Sequence, residues 1–383
     1  MGIAGRRMSR VDLFRKAQSY GDRTALLDGN RTWSYSDLMA ASAAVASTLL
    51  RGAADLEEAR VAFFLPAGFE YVAVLWGVWR AGGIAVPLNV SAAEPEIEHI
   101  VSDAEALGLV VSRSLRKRVD PLCGRLGVDV LTVEDARDIE HAVLPVISPD
   151  RRGMMLYTSG TTNKPKGVVT THANTEAQVA SLIKAWGWRS DDRIPLFLPL
   201  HHVHGIVNVL TCALWSGAAV EVFDGFDVDR VLARVADGAF TLFMAVPTIY
   251  INLIRAIEDA APDRRHRIHE GFAGMRLMVS GSAALPASVH ERWTELTGQK
   301  LLERYGMTEI GMGISNPLSG ERRPGAVGLP LPGVEVRLVS EAGDVIGVEG
   351  EPGEIQVRGD TVFLEYWRKP EVTAQSFVDG WFK

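Results

Sequence analysis

The sequence has little cysteine and no excess of positive charge. Only two of its 383 residues are cysteines, Cys123 and Cys212, and neither lies in a CxxC pair or a zinc-ligand spacing. The formal net charge of -7 argues against a nucleic-acid-binding protein, which needs a dominant basic surface. No apolar run approaches the roughly 20 residues of a membrane span, and the N-terminus lacks the apolar core of a secretory signal. We therefore expect a protein of a reducing compartment, the cytoplasm or, in a eukaryote, the mitochondrial matrix, without nucleic acid or a membrane as its partner.

Two local clusters depart from this acidic balance. One comprises Arg113 and residues 116–118, and the other comprises residues 264–267. Either cluster is compatible with a solvated surface loop. Either is also compatible with the docking of a phosphorylated ligand such as coenzyme A. The sequence leaves this choice open.

Apolar runs alternate with helical patterns over most of the chain, which is longer than one hydrophobic core usually supports. This alternation predicts an α/β fold with parallel sheets wound by right-handed crossovers. Strand-like runs lie at 61–65, 84–87, 107–111, 154–157, 218–223, 241–246 and 277–279, and helical patterns at 71–81 and 174–185. Beyond residue 325, the runs 334–339 and 353–358 alternate apolar with polar or small residues, which indicates a small antiparallel sheet or barrel.

The densest group of functional side chains is residues 157–167, YTSGTTNKPKG. Hydroxyls and exposed backbone N–H groups can cradle phosphate oxygens, and lysines can neutralise them. The segment does not match GxxxxGK[ST] and so is not a Walker A loop. Its composition favours a phosphate-binding loop over an unliganded polar turn.

Residues 303–309, ERYGMTE, place an aromatic ring beside a hydroxyl and a carboxylate. Tyr305 can present a ring face to a purine. Thr308 and Glu309 suit an α-phosphate and a Mg²⁺ ion, which prefers oxygen ligands. An exposed helix turn is the alternative interpretation of this heptad.

Residues 198–205, LPLHHVHG, bring three histidines into one turn. Imidazole is a common zinc ligand, but neither cysteine lies in a matching pattern, so histidines lining a pocket are the favoured interpretation. Residues 275–286, MRLMVSGSAALP, read as a strand that runs into Ser-Gly-Ser. Open α/β sheets bind ligands at the carboxyl ends of their strands, although a structural turn would leave the same pattern.

In this order, the four motifs resemble those of the adenylate-forming superfamily of acyl-CoA synthetases, luciferases and peptide synthetase adenylation domains. The resemblance runs from residues 32–38 to residues 380–383. The stretches 198–205, 276–286 and 302–312 are most similar to the malonyl-CoA synthetases, including the malonyl/methylmalonyl branch. Asn163 departs from the family, which usually has glycine there, but asparagine tolerates left-handed backbone angles better than most residues.

The resemblance implies an ATP-dependent acid–CoA ligase with two steps. A small dicarboxylate and MgATP give an acyl-adenylate, and coenzyme A then displaces AMP to form the thioester. The fold implied is the large adenylate-forming domain, with two doubly wound sheets packed by helices and a small distorted β-barrel. The implied ligands are ATP, Mg²⁺, coenzyme A and malonate or methylmalonate, while the sequence does not set the oligomeric state.

The resemblance also assigns roles to individual residues. The β- and γ-phosphates would be held by Thr158, Ser159, Gly160, Thr161, Thr162, Lys164 and Lys166. The rest of the nucleotide would contact Gly281, Ser282, Ala283, Glu303, Arg304, Tyr305, Gly306, Met307 and Thr308, with Tyr305 stacking on adenine and Thr308 at the α-phosphate. The catalytic set would be Thr161, Lys166, His202 and Glu309, with Glu309 as the Mg²⁺ ligand. The acyl substrate would contact His202, His204, Arg276, Ser280, Met307 and Met312, with Arg276 as the cation for the second carboxylate.

The implied domain organisation is an N-terminal extension over 1–18, paired α/β subdomains over 19–325 and a β-rich subdomain over 326–383. The family continues into a small mobile domain that supplies a catalytic lysine, so we expect residues 1–383 alone to bind ATP but form thioester slowly. Two other functions stay open. One is an aryl, short-chain or amino-acid adenylating enzyme, although His204 and Asn208 stand where an acidic partner for an amino group would be expected. The other is a nucleotide-binding domain without turnover.

Overall fold

The computed structural model describes residues 11–136, 143–158 and 164–383. The chain divides into two compact units. Unit 1 comprises residues 1–25, 32–176 and 364–369, and unit 2 comprises residues 26–31, 177–363 and 370–383. The predicted boundaries at residues 18 and 325 stay predictions.

The described part of the chain contains α-helices, strands, a 3₁₀ turn at Val133–Ala136 and a π-helix at His204–Thr211. The helices are α1 Asp12–Tyr20, α2 Tyr35–Leu50, α3 Phe69–Arg80, α4 Glu94–Asp103, α5 Arg116–Leu126, α6 His172–Trp186, α7 Cys212–Ser216, α8 Val228–Ala236, α9 Pro247–Glu258, α10 Pro262–Ala273, α11 Ala287–Thr297 and α12 Pro370–Gln375. The strands are β1 Thr24–Asp28, β2 Arg31–Ser34, β3 Arg60–Phe64, β4 Ile84–Pro87, β5 Gly108–Val111, β6 Asp129–Thr132, β7 Arg152–Thr158, β8 Lys166–Thr171, β9 Arg193–Leu196, β10 Ala219–Val222, β11 Leu242–Ala245, β12 Leu277–Ser280, β13 Leu302–Met307, β14 Gly311–Ser315, β15 Leu329–Pro330, β16 Val334–Val339, β17 Val345–Ile346, β18 Glu354–Gly359, β19 Glu365–Tyr366, β20 Phe377–Val378 and β21 Trp381–Phe382. None of the helices in these ranges is long and apolar enough to cross a membrane.

Unit 1 is built on a seven-stranded sheet in the order β19-β8-β7-β4-β3-β5-β6. Strands β7, β4, β3, β5 and β6 run parallel, while β8 pairs antiparallel with β7 at one edge and β19 pairs antiparallel with β8. The central strands are almost continuously apolar because helices cover both faces of a parallel sheet. The predicted strands in this unit are confirmed, and β4 has the predicted bounds.

Helices α2 and α3 pack closely within unit 1. Ser34 caps α2 in a capping box with Asp37, in which the Asp37 backbone N–H donates to Ser34 Oγ over 3.0 Å. Helix α3 is buried along nearly its whole length. A Cβ at Gly77 of α3 would lie 2.5 Å from Val45 of α2, so the contact requires glycine.

Unit 2 contains a second α/β sheet in the order β11-β12-β13-β14-β15, in which β11 to β13 are parallel and the last two strands antiparallel. The part of β1 that belongs to this unit pairs parallel with β10, which pairs with β9. The α/β fold class is therefore confirmed, but the strands divide among more sheets than the two expected.

The last part of unit 2 forms the predicted antiparallel sheet, in the order β17-β16-β18-β21-β20. Strands β16 and β18 form its longest ladder, from Val334 opposite Gly359 to Val339 opposite Glu354. Across the described residues this is a sheet with two edge strands, and the expectation of a distorted barrel is corrected. Strands β17, β20 and β21 have only two residues each, too few to continue a ladder around a closed barrel.

Candidate active site

The predicted phosphate loop joins the two antiparallel strands β7 and β8 of unit 1. Thr158 at the end of β7 lies opposite Lys166 at the start of β8, so both predicted phosphate ligands flank the mouth of a β-hairpin. Lys164 is exposed and Lys166 is half-buried. The predicted ligands Ser159, Gly160, Thr161 and Thr162, together with Asn163, lie outside the described residues, and their roles stay predictions.

Tyr305 lies beside a β-bulge in unit 2. The register of β13 against β14 shifts between Tyr305 and Gly306, and a Cβ at Gly306 would lie 2.1 Å from the carbonyl oxygen of Gly311. The heptad therefore forms a strand and turn instead of a helix turn. Tyr305 lines a cavity of about 350 Å³ that is also lined by Met307, Ile310, Gly353, Glu354, Ile355, Val357, Phe382 and Lys383.

Thr308 and Glu309 form the turn between β13 and β14. Glu309 is buried, and its carbonyl oxygen accepts a hydrogen bond of 2.7 Å from the backbone N–H of Phe363. Across residues 11–136, 143–158 and 164–383, no three His, Cys, Asp or Glu side chains converge as a ready metal site. Mg²⁺ commonly uses one or two protein carboxylates and completes its shell with water and substrate phosphates, so Glu309 fits that cation without a preformed cage.

The three histidines of residues 198–205 do not converge on a metal site. The rings of His201 and His202 lie 4.2 Å apart, and His202 is exposed. His204 is instead buried at the start of the π-helix, where its Nδ1 lies 3.1 Å from Ser282 Oγ. The geometry thus favours a pocket role for His204.

The segment that follows β12 is strained at Ser282. This residue has a φ of 70°, a left-handed value that is uncommon for a side chain larger than glycine. Such conformations cost on the order of 1–3 kcal/mol and cluster at functional sites. A Cβ at the preceding Gly281 would lie 2.4 Å from the Arg304 guanidinium, so Gly281 lets that side chain cross the segment.

Arg304 is a buried cation at the carboxyl end of this sheet. Only 4% of it is exposed, and its Nη2 donates to Ser282 Oγ over 3.2 Å. Burial lowers the pKa of Arg304 to about 9. Burial, and then the charge of Arg304, hold the pKa of His204 well below its usual range, so this imidazole is neutral.

Several buried polar atoms of unit 2 have no hydrogen-bond partner among the described residues. Four of the residues that contribute such atoms belong to the predicted motifs or lie beside them: Arg304 through Nε, His204 through Nε2, Ser280 through Oγ, and Asn208 through both amide atoms. Buried polar groups in native proteins are nearly always paired, so unpaired groups call for a ligand or water. His204 and Asn208 lie four residues apart in a π-helix of nearly that period, so both lie on one face.

Arg276 lies away from the other predicted substrate contacts of β12. It precedes β12, at the opposite end of the strand from Ser280, and the four-residue strand spans roughly 13 Å. Its Nε donates to the buried Asp192 carboxylate over 2.7 Å, and its Nη1 donates to the Trp186 carbonyl over 3.0 Å. The assignment of Arg276 as the substrate cation stays a prediction, and the internal pairing with Asp192 argues against it.

The remaining predicted contacts are distributed over β13 and β14. Glu303 is buried and accepts from the Gly325 backbone N–H over 2.8 Å, while burial raises the pKa of its carboxyl group. Met312 is fully buried, and its Cε would touch a Cβ at Gly306, whereas Met307 is 38% exposed. Ala283 is exposed beyond Ser282. Their predicted ligand contacts stay predictions.

The two basic clusters have partners within their own units. Arg113 pairs with Asp135, and Arg264 pairs with Asp229, each over 2.7 Å. Arg265 donates to carbonyl groups at the end of α9. These contacts favour the interpretation of both basic clusters as solvated surface over a docking site for coenzyme A.

The sequence profile of the AMP-binding enzyme family matches residues 13–367. The chain belongs to the AMP-binding enzyme family. It is 41% identical to mitochondrial malonate–CoA ligase ACSF3 of Xenopus laevis, over 97% of the chain and 71% of that ligase. It is 40% identical to the Homo sapiens protein of the same name, with coverage of 97% and 71%.

Solved structures of AMP-binding enzymes share this fold. ATP-bound MatB from Rhodopseudomonas palustris superimposes with a TM-score of 0.88 at 33% identity, over 97% of this chain and 75% of MatB. A malonyl-CoA ligase ternary product complex with methylmalonyl-CoA and AMP gives a TM-score of 0.83 at 34% identity, over 95% and 75% of the two chains.

Sequence reasoning about this AMP-binding enzyme did not foresee the burial of Arg304 or the unpaired amide of Asn208. The resemblance places Arg304 with the nucleotide-binding residues, beside Tyr305 and Thr308, and that role stays a prediction. The available signal was strand alternation, which turns successive side chains of β13 to opposite faces. For Asn208 the signal was its spacing of four residues from His204.

Proposed function

We propose that this AMP-binding enzyme is an ATP-dependent acid–CoA ligase. It adenylates malonate or methylmalonate and transfers the acyl group to coenzyme A. The names of the malonate–CoA ligase relatives support this proposal. The observation that carries it is the buried Arg304 guanidinium, which has no carboxylate partner among the described residues.

A second carboxylate on the substrate explains why a cation is buried at this place. Burying a charge without a partner is costly, and a bound carboxylate would compensate Arg304 while filling its open Nε position. Neutral His204 carries a proton on one ring nitrogen and can donate it to the same anion. A monocarboxylate would leave Arg304 and His204 without this partner.

The nucleotide would occupy the residues that the motifs assigned to it. Tyr305 would stack on adenine, Thr308 would contact the α-phosphate, and Lys164 and Lys166 would neutralise the β- and γ-phosphates. Glu309 would hold Mg²⁺, which neutralises charge on the phosphate oxygens when bound. Positioning and electrostatic stabilisation by such groups dominate phosphoryl chemistry.

The proposed substrate class is tested by ATP–pyrophosphate exchange with a panel of acids. Malonate and methylmalonate should support exchange, while butyrate and benzoate should not, because neither brings a second carboxylate to Arg304. Equal exchange with butyrate would reject the dicarboxylate assignment in favour of a short-chain enzyme. ATP binding without exchange for any acid would instead favour a nucleotide-binding domain without turnover.

Replacing Tyr305 by alanine should weaken ATP binding by about 1–3 kcal/mol, the range found when a base loses an aromatic stacking partner. Calorimetric titration with MgATP measures this change. Tyr305→Phe keeps the ring and should retain most of the affinity. Unchanged ATP affinity in Tyr305→Ala would remove this residue from the nucleotide site.

A further inference from the structure

Strand β19, from late in the chain, pairs with the β7–β8 hairpin that carries the predicted phosphate loop. Strand β19 pairs antiparallel with β8, with Glu365 opposite Val169 and Tyr366 opposite Val168. The Trp367 backbone N–H then donates to the Gly167 carbonyl over 2.8 Å. Both strands belong to unit 1 although about 200 residues separate them in sequence, a separation that costs loop entropy.

Lys166 lies over the ring of a residue in this segment. Its Nζ is 4.3 Å from the ring centroid of Tyr366, which is 5% exposed. Within the described ranges, the Lys166 ammonium makes no salt bridge and donates no hydrogen bond to another side chain. Among the described residues, the Tyr366 ring is thus the side chain that contacts the Lys166 ammonium.

Both ends of the same hairpin are also held by helix α4. The Tyr157 hydroxyl at the end of β7 donates to Asp103 over 2.8 Å, and His99 Nε2 lies 3.0 Å from the Pro165 carbonyl oxygen. The Trp367 indole N–H donates to the Asp103 carbonyl over 3.0 Å, which ties α4 to the β19 segment. The backbone on either side of residues 159–163 therefore has fixed anchors, and Lys166 is the functional side chain beside them.

We infer that Tyr366 is a positioning residue for Lys166 in the binding of ATP, an inference that rests on the proposed function. A lysine side chain has four flexible bonds, and immobilising it costs conformational entropy when a ligand binds. The ring face holds the ammonium before the nucleotide arrives, so that cost is reduced at the binding step. One side of the ammonium faces the ring, and its remaining N–H groups stay available to phosphate oxygens.

Tyr366→Leu should weaken MgATP binding by about 3- to 30-fold, the range expected for loss of a cation–π contact at a partly desolvated site. Tyr366→Phe keeps the ring face and should restore most of the affinity. Calorimetric titration of the full chain with MgATP gives both values, and circular dichroism verifies the fold. If the leucine variant does not fold, Tyr366→Met fills the space with a flexible side chain and replaces it in the comparison.

A double-mutant cycle separates positioning from a structural effect. In a Lys166→Met background, Tyr366→Leu should cause no further loss of affinity, because the ring would act only through the missing ammonium. A loss of similar size in both backgrounds would overturn the inference. So would unchanged or tighter binding in Tyr366→Leu alone, since tighter binding would mean that the ring withholds Lys166 from the nucleotide.

The control is an equally buried ring beneath a cation in unit 2. Arg230 lies 4.7 Å from the ring centroid of Phe223, which is 1% exposed. Phe223→Leu should lower stability without changing MgATP affinity, and an equal loss of affinity there would reject a specific role for Tyr366. If Lys166→Met itself binds MgATP normally, the phosphate-loop part of the proposed function fails, and the inference about Tyr366 fails with it. Failure of the inference alone leaves the Lys166 effect intact.

Discussion

Arg304→Met will lose malonate binding by about 2–5 kcal/mol, the range seen when one partner of a buried charge pair is removed. Methionine has a similar length and can fill the space, so the loss would come from the missing charge and the missing N–H donors. Butyrate has no second carboxylate, and its binding should weaken little or improve. The variant should therefore reverse or abolish the discrimination between malonate and butyrate.

The measurement is calorimetric titration of the full chain with each acid in the presence of MgATP. Arg304→Lys keeps a positive charge but lacks the planar pair of donors that matches a carboxylate, so it should recover only part of the affinity. MgATP titration without acid shows whether nucleotide binding has survived. If Arg304→Met keeps its preference for malonate over butyrate, the dicarboxylate assignment loses its physical basis.

The elements that the sequence predicted well are those in which local pattern and burial agree. Strand β4 and helix α3 are apolar over nearly their whole length and end at Pro87 and beside Gly82-Gly83, which interrupt regular structure. Strand pairing was less predictable because it depends on distant segments. The sequence around Glu365 and Tyr366 contains no pattern that predicts their pairing with β8, which lies almost 200 residues earlier in the chain.

The position of Arg276 at the start of β12 could be foreseen from the sequence. Ligands of α/β sheets gather at the carboxyl ends of parallel strands, and Arg276 stands before β12, at the other end. Arg304 follows Glu303, which lies level with Ser280 in the neighbouring strand, so it belongs to the end that carries Ser280 and Ser282. The ion pair between Arg276 and the buried Asp192 could not be predicted from a local pattern, because 84 residues separate the two in sequence.

The ion pair between Arg276 and Asp192 predicts a second large effect, a loss of folding stability when it is broken. Asp192 is 3% exposed, and besides Arg276 it accepts hydrogen bonds from the Thr241 hydroxyl over 2.8 Å and the Arg189 backbone N–H over 2.7 Å. Arg276→Met would leave this carboxylate buried without its cation. Breaking a buried pair by removing one partner typically costs about 3–5 kcal/mol, and we expect a loss in that range in the free energy of unfolding.

Denaturant unfolding measures the loss as a lower midpoint with an unchanged slope. Asp192→Asn in the Arg276→Met background removes the uncompensated charge and should recover part of the stability. The exposed pair of Arg323 and Glu321 provides the matched control, and Arg323→Met should have no measurable effect because solvent screens that pair. Arg276→Met should also keep the preference for malonate over butyrate that Arg304→Met loses. A stable Arg276→Met variant with its malonate preference abolished would reverse the two assignments, because Arg276 would then be bound to substrate instead of to Asp192.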